Sequence, residues 1–246
     1  MDDRRLLDSH VPPSAEALAK IEHEFADGFE LVDRIDRPAV AVFGSARLLE
    51  GSPWYAVARA VGAEFARRGW AVITGGGPGL MEAVNRGARD EGGLSVGLGI
   101  RLPHEQAFNR YLDLAYTFDH FYARKVCFVK PSEGFVVLPG GFGTLDETFE
   151  ALTLIQTGKA TRFPVVMFGS KVWGGLLQWI RDELAAIGTV SAPDIGLISL
   201  TDDPREAADI VVGTYESAKA EPASECGEAA GDRERLGHRA LEPFEQ

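Results

Sequence analysis

Cysteine is nearly absent. The 246 residues hold two, Cys127 and Cys226, too few for a disulfide framework or a thiolate metal cluster. Cys127 lies on an apolar helical stripe and Cys226 in a polar stretch, so no bond between them is expected. Histidine is sparse: His10, His23, His104, His120 and His238 show no ligand spacing, and no metal site is expected. Long apolar runs are missing. Gly134–Leu138 and Val165–Phe168 are strand-length, far short of the roughly 20 residues that cross a bilayer. The opening Asp2-Asp3-Arg4-Arg5 leads into no apolar segment of signal-peptide type, so a cytoplasmic protein without membrane association is expected. Positive charge is also short: 25 Lys and Arg against 37 Asp and Glu leave a formal charge of −12. A nucleic-acid binder wants a basic face, so no nucleic-acid partner is expected. A small phosphorylated ligand stays allowed, because it feels the local field of its pocket.

What remains is an ordinary globular composition, with 45% hydrophobic and 25% charged residues, at a length that suits one α/β domain with added ends. Ser14 to Asp33 carries apolar residues at helical spacing (Leu18, Ile21, Phe25, Phe29, Val32), with Ser14 as N-cap. After Asp36-Arg37-Pro38 the pattern alternates. Strands are predicted at Ala39–Phe43, Trp70–Thr74, Ser95–Ile100, Leu112–Phe118, Gly134–Leu138, Val165–Phe168 and Ile198–Leu200. Helices are predicted at Tyr55–Arg68, Leu80–Arg89, His120–Lys130, Leu145–Gln156, Trp173–Ala186 and Pro204–Tyr215. Strand–helix alternation at this pitch implies a Rossmann-like, doubly wound parallel sheet. The expected organisation is an N-terminal helical extension over 1–37, one α/β domain over 38–216, and a disordered acidic tail over 217–246. That tail holds seven acids and four bases, a net charge of −3.

Three predicted strands end in glycine-rich turns: Gly44-Ser45, Gly75–Gly79 and Gly140–Gly143. In a parallel sheet such turns lie at the carboxyl edge, where ligands bind near the reversal of strand order. The following helix offers unpaired N–H groups and partial positive charge, which favour phosphate. Neither Gly75–Leu80 nor Gly141–Asp146 completes G-x-G-x-x-G, and Gly158-Lys159 is followed by Ala160, not the Ser or Thr of a P-loop. A mononucleotide or sugar phosphate therefore fits better than NAD or ATP. Thr144 and Glu147 have the spacing of a capping box, which is one reading of that carboxylate. The other is chemistry: a carboxylate beside Arg124 near a phosphate cradle suits glycosyl transfer.

Pro139-Gly140-Gly141-Phe142-Gly143-Thr144-Leu145-Asp146-Glu147 resembles the P-G-G-x-G-T-x-x-E motif of the LOG (Lonely Guy) family, phosphoribohydrolases of cytokinin riboside 5′-monophosphates that are often mislabelled lysine decarboxylases. The likeness extends to Gly44-Ser45, Gly75–Met81, Arg124-Lys125, Thr153 and Gln156–Gly158. It covers about Ala39 to Leu184, and the flanking segments look like the longer bacterial subgroup. The resemblance implies hydrolysis of a nucleoside 5′-monophosphate to free base and ribose 5-phosphate, without a cofactor. It implies a catalytic pair in Arg124 and Glu147, and phosphate held by Gly140, Gly141, Gly143 and Thr144. Gly44, Ser45, Gly77, Met81 and Lys125 would line the nucleotide site, and a homo-oligomer, dimer or hexamer, is expected. The chain departs from the plant pattern at Ala46, Phe142 and Leu154, all flanking the ligand, so AMP stands beside a cytokinin ribotide as substrate. The rival reading is a nucleotide- or cofactor-binding carrier without turnover. A decarboxylase using pyridoxal phosphate would need a Schiff-base lysine, and no strand-end loop supplies one.

Overall fold

The structure, a computed structural model, describes residues 14–102, 107–160 and 163–220. Seven strands form one sheet: β1 (Ala39–Phe43), β2 (Ala71–Thr74), β3 (Ser95–Ile100), β4 (Leu114–Phe118), β5 (Ser132–Val137), β6 (Val165–Phe168) and β7 (Ile198–Thr201). Every pairing is parallel, in the order β4-β3-β2-β1-β5-β6-β7. The central strands β1, β2 and β5 are apolar because both faces are covered. Ala39, Ala41, Phe43, Ile73, Phe135 and Val137 point into one core layer. Val40, Val42, Val72, Val136 and Leu138 point into the other. This is the doubly wound α/β fold that the strand–helix alternation implies.

The helices are α1 (Ala15–Val32), α2 (Pro53–Arg67), α3 (Leu80–Asp90), α4 (Phe121–Val129), α5 (Phe142–Gln156), α6 (Ser170–Trp179), α7 (Ala192–Ile195) and α8 (Pro204–Ala220). Helices α2, α3 and α8 cover one face through Val61, Phe65, Leu80, Val84 and Val211. Helices α1, α4, α5 and α6 cover the other through Leu31, Cys127, Phe128, Ile155 and Trp173. No described helix is long and apolar enough to cross a membrane.

Several element ends shift by one or two residues from expectation, and three departures go further. The helix predicted over Trp173–Ala186 ends at Trp179 and gives way to a π-helical turn, Ile180–Leu184, and α7 was not foreseen. Helix α8 runs on through 217–220, four residues into the expected tail; residues 221–246 lie outside the described set, as do 1–13. The capping box expected at Thr144 and Glu147 does not form. Helix α5 starts two residues earlier than Thr144, with Gly141 as N-cap and no side-chain cap, so Thr144 and Glu147 are both inside the helix.

Helix α1 is capped by Ser14 as expected, its Oγ accepting from the Ala17 N–H at 3.2 Å. The face it buries is only partly the apolar stripe read in the sequence. Val32 is buried and Phe25 and Phe29 pack half-buried against the core, but Leu18 is exposed, and Ala17, Glu24, Gly28 and Leu31 are buried beside the stripe. Gly28 explains the rotation: a Cβ there would lie 2.6 Å from the Cys127 sulfur and 2.9 Å from the Phe118 ring. Only this face lets the helix come close. It also carries Glu24 to the start of α4. One carboxylate oxygen accepts from the Asp119 N–H at 3.1 Å; the other accepts from the His120 N–H at 3.1 Å and meets the His120 Nδ1 at 3.0 Å. A carboxylate thus satisfies orphan donors at the positive end of α4.

Glu24→Ala should therefore destabilise the fold by about 1–3 kcal/mol, since two buried N–H groups lose their acceptor. A thermal melt should show a drop of roughly 2–4 °C per kcal/mol for a chain of this size. Melting at the wild-type temperature would show that solvent replaces the carboxylate at no cost.

Candidate active site

The strand order reverses between β1 and β5, and the turns leaving β2, β1 and β5 lie side by side at the carboxyl edge. They are tied together by main-chain bonds: Ser45 N–H donates to the Pro139 carbonyl at 3.0 Å, and Leu80 N–H to the Ser45 carbonyl at 2.9 Å. Gly79, at φ +71°, allows that approach; a Cβ there would lie 2.5 Å from the Ser45 carbonyl oxygen. The Gly75–Gly77 segment is clamped by a polar cluster. Asn109 Nδ2 donates to the Gly76 carbonyl at 3.0 Å, the Gly77 carbonyl at 3.1 Å and Asn85 Oδ1 at 3.0 Å. Asn85, fully buried, also accepts from Thr74 Oγ1 at 2.6 Å and donates to Ser95 Oγ at 2.9 Å.

The start of α5 is different in kind. A Cβ at Gly140 would run into the Thr144 side chain, so glycine there is a packing requirement. A Cβ at Gly141 or Gly143 would meet nothing within 4 Å. Those two glycines, exposed at an uncapped helix start, leave room for something other than protein.

Arg124 and Glu147 face each other across α4 and α5, Arg124 Nη2 lying 3.2 Å from Glu147 Oε1, and both side chains are almost wholly buried. The guanidinium is sandwiched over the Phe121 and Phe128 rings at 5.1 and 5.6 Å. Its Nε has no hydrogen-bond partner among the described residues. Lys125 reaches Asp146 at 2.8 Å, Glu147 at 3.5 Å and Glu150 at 2.6 Å. Burial pushes the Glu147 carboxyl above the usual carboxylate range, against the pull of Arg124 and Lys125. Burial likewise pulls the Arg124 guanidinium down despite Glu147. For Lys125 burial acts downward too, but the hydrogen bonds to Asp146 and Glu150 outweigh it and raise its pKa.

Two adjoining cavities open here. Gly44, Ser45, Met81, Arg124, Gly141, Gly143, Thr144 and Glu147 all line the first, of about 680 Å³. Gly77 lines the second, of about 780 Å³, which Met81, Arg124 and Gly143 share. Two expected site residues stand off these walls: Gly140 backs Thr144, and Lys125 braces the acidic residues from behind. Arg47, on both walls, went unremarked in the sequence, although it directly follows the Gly44-Ser45-Ala46 turn. The Asn85–Asn109 clamp was also missed; the one signal for it was an amide on the otherwise apolar inner face of α3. Among the described residues no three His, Cys, Asp or Glu side chains are gathered as a metal site.

Stability should report the state of Glu147. A carboxyl whose folded pKa is raised contributes stability that is fully present below its unfolded value and is lost as pH rises through the folded value. Glu147→Gln removes that contribution. The melting temperature of Glu147→Gln minus that of the wild type should therefore increase from roughly pH 4 to pH 7. A difference flat across that window would mean that Glu147 titrates as an ordinary carboxylate.

A family model described as possible lysine decarboxylase matches residues 81–211, more than half of the chain. A cytokinin riboside 5′-monophosphate phosphoribohydrolase of Mycobacterium tuberculosis is 35% identical over 156 residues, covering 61% of this chain and 81% of that protein. The one of Mycobacterium marinum is 33% identical over 153 residues, with the same coverage. Among solved structures, a molybdenum cofactor binding protein of Rippkaea orientalis superposes with a TM-score of 0.53 at 21% identity, over 75% of this chain and 99% of that one. The last likeness shows the fold alone. On the family match, with relatives of this identity named phosphoribohydrolases, the chain belongs to the LOG family and is a hydrolase of N-glycosidic bonds.

Proposed function

We propose that the protein hydrolyses a purine nucleoside 5′-monophosphate, AMP or a cytokinin riboside 5′-monophosphate, to free base and ribose 5-phosphate. The observation that carries this reading is the buried Arg124–Glu147 pair beside an uncapped helix start. The 5′-phosphate sits against Gly141, Gly143 and Thr144, where α5 presents free N–H groups and the space a Cβ would fill is open. Arg124, paired with Glu147, orients the ribose. Glu147 lies on the sugar side. Its carboxylate takes a proton from water as the oxygen bonds to C1′, and the electron pair of the C1′–N bond leaves with the base. Burial suits the task, because a carboxylate held out of water with a raised pKa is a stronger base than an exposed one.

The base lies in the second cavity, whose wall includes Ile100, Leu102, Phe108 and Phe121. That apolar wall supports a purine with an apolar substituent as an alternative to AMP. Oligomers, dimeric or hexameric, belong to the same proposal. Phe142 is 92% exposed at the mouth, and Tyr122, Val126 and Phe149 are also exposed on α4 and α5, where a second copy would cover them.

A lysine decarboxylase reading does not fit these residues. Among the described residues no lysine lines either cavity, and Lys125, behind Glu147, is held as an ammonium by carboxylates when a Schiff base needs the free amine. A carrier reading explains the phosphate cradle but leaves two desolvated charges without a purpose.

The test is to incubate the pure protein with AMP and with isopentenyladenosine 5′-monophosphate and to assay free base. Base release is expected, with turnover lowered about 10²–10⁴-fold in Glu147→Gln while binding persists. Binding of both nucleotides without base release would favour the carrier. Gly141→Ala, at an ordinary φ of −102°, should fold normally yet lose the thermal stabilisation that AMP confers. Undiminished stabilisation would place the phosphate elsewhere.

A further inference from the structure

We infer that Arg47 is the side chain that recognises the 5′-phosphate, and so sets the preference for nucleotides over nucleosides; this rests on the proposed substrate class. The argument is one of charge. The protein carries −12 overall, so an incoming dianion meets an adverse field unless the pocket supplies a cation. The cations around the two cavities are Arg47, Arg101, Arg124 and, behind Glu147, Lys125. Three are already matched by carboxylates: Arg124 by Glu147, Arg101 by Asp119 at 2.5 Å, and Lys125 by Asp146 and Glu150. Arg47 forms no ion pair with any described residue.

Its position supports the same role. Arg47 lines both cavities and shares the first with Gly141, Gly143 and Thr144. Its backbone is fixed where the sheet reverses, since its N–H donates to Ser45 Oγ at 3.1 Å and Ser45 is bonded to the turns after β5 and β2. The side chain itself is exposed and free to swing. A main-chain cradle alone binds any small anion; a guanidinium adds a bidentate, planar match to two phosphate oxygens.

The experiment measures binding of AMP, ribose 5-phosphate and adenosine to wild type, Arg47→Ala and Arg47→Lys by calorimetry, alongside base release from AMP. Arg47→Ala should weaken AMP and ribose 5-phosphate by about ten- to a hundredfold, leave adenosine within twofold, and keep the wild-type melting temperature. Arg47→Lys should recover part of the loss. Equal weakening of adenosine and AMP, or AMP binding within twofold of wild type, would overturn the role. Wild-type binding of AMP without base release would sink the hydrolase reading, yet still decide Arg47 through the binding ratios. A wild type that binds neither phosphate compound would overturn both.

Discussion

Arg124 and Glu147 lie 3.2 Å apart and are both withdrawn from water. Burying either ion alone costs several kcal/mol, and the pair offsets that cost only if its geometry is held. The rest of the fold supplies that hold. Helix α4 leads into β5 and α5 leaves it, and both pack on the same face of the sheet through Cys127, Phe128, Ala151 and Ile155. Both helices start at the carboxyl edge. Arg124 therefore stands one turn into α4 and Glu147 in the second turn of α5, near the same opening. A cation in the first turn of a helix opposes the macrodipole. Glu24 answers this from outside the helix, placing a carboxylate on the Asp119 and His120 N–H groups just ahead of the positive end. The N-terminal helix, which looks in the sequence like an appendage, is thus coupled to the centre of the site.

That coupling separates what was legible in the sequence from what was not. Continuous apolar runs such as Ala39–Phe43 and Val165–Phe168 read directly as two-sided strands, because only a buried parallel sheet tolerates them. The glycine turns read as ligand loops because each interrupts a strand–helix passage. The face of α1 read only in part: Phe25, Phe29 and Val32 do pack inward, but Leu18 outweighs Glu24 and Gly28 on any hydrophobic scale and yet is exposed. What decides that face is the space left by a missing Cβ and a carboxylate matched to distant N–H groups, neither of which is a periodicity. Thr144 and Glu147 left two readings open for a related reason. Their spacing is that of a capping box, but the chain enters the helix two residues sooner, and the carboxylate turns toward Arg124 instead. Local spacing proposed one partner for Glu147 and tertiary placement supplied another.

The site residues divided along the same line. Backbone-dominated positions carry their role in residue type: a Cβ at Gly44 would press on Leu80 and Leu138, while Gly141 and Gly143 leave open space at the start of α5. Arg47 carries no such mark; an arginine after a turn is ordinary until neighbouring cations prove to be paired. Asn109 is similar. Its amide bridges two carbonyls of the Gly75–Gly77 segment and the buried Asn85, so a residue far along the chain sets the shape of a loop that reads, by itself, as flexible.

The same charge arrangement weighs on the choice between chemistry and carriage. A protein that only holds a nucleotide gains from cations facing the phosphate and loses from a buried carboxylate beside it, since that carboxylate repels the ligand. Here the carboxylate is kept, desolvated, and raised in pKa, while two further acids, Asp146 and Glu150, hold Lys125 beside it. Ground-state binding is made weaker by that choice. The expense is offset only in a transition state that develops positive charge on the sugar, where Glu147 becomes attractive. The distribution of charge around α5 is therefore what a glycosyl-transfer site requires and what a reservoir for a dianion would avoid.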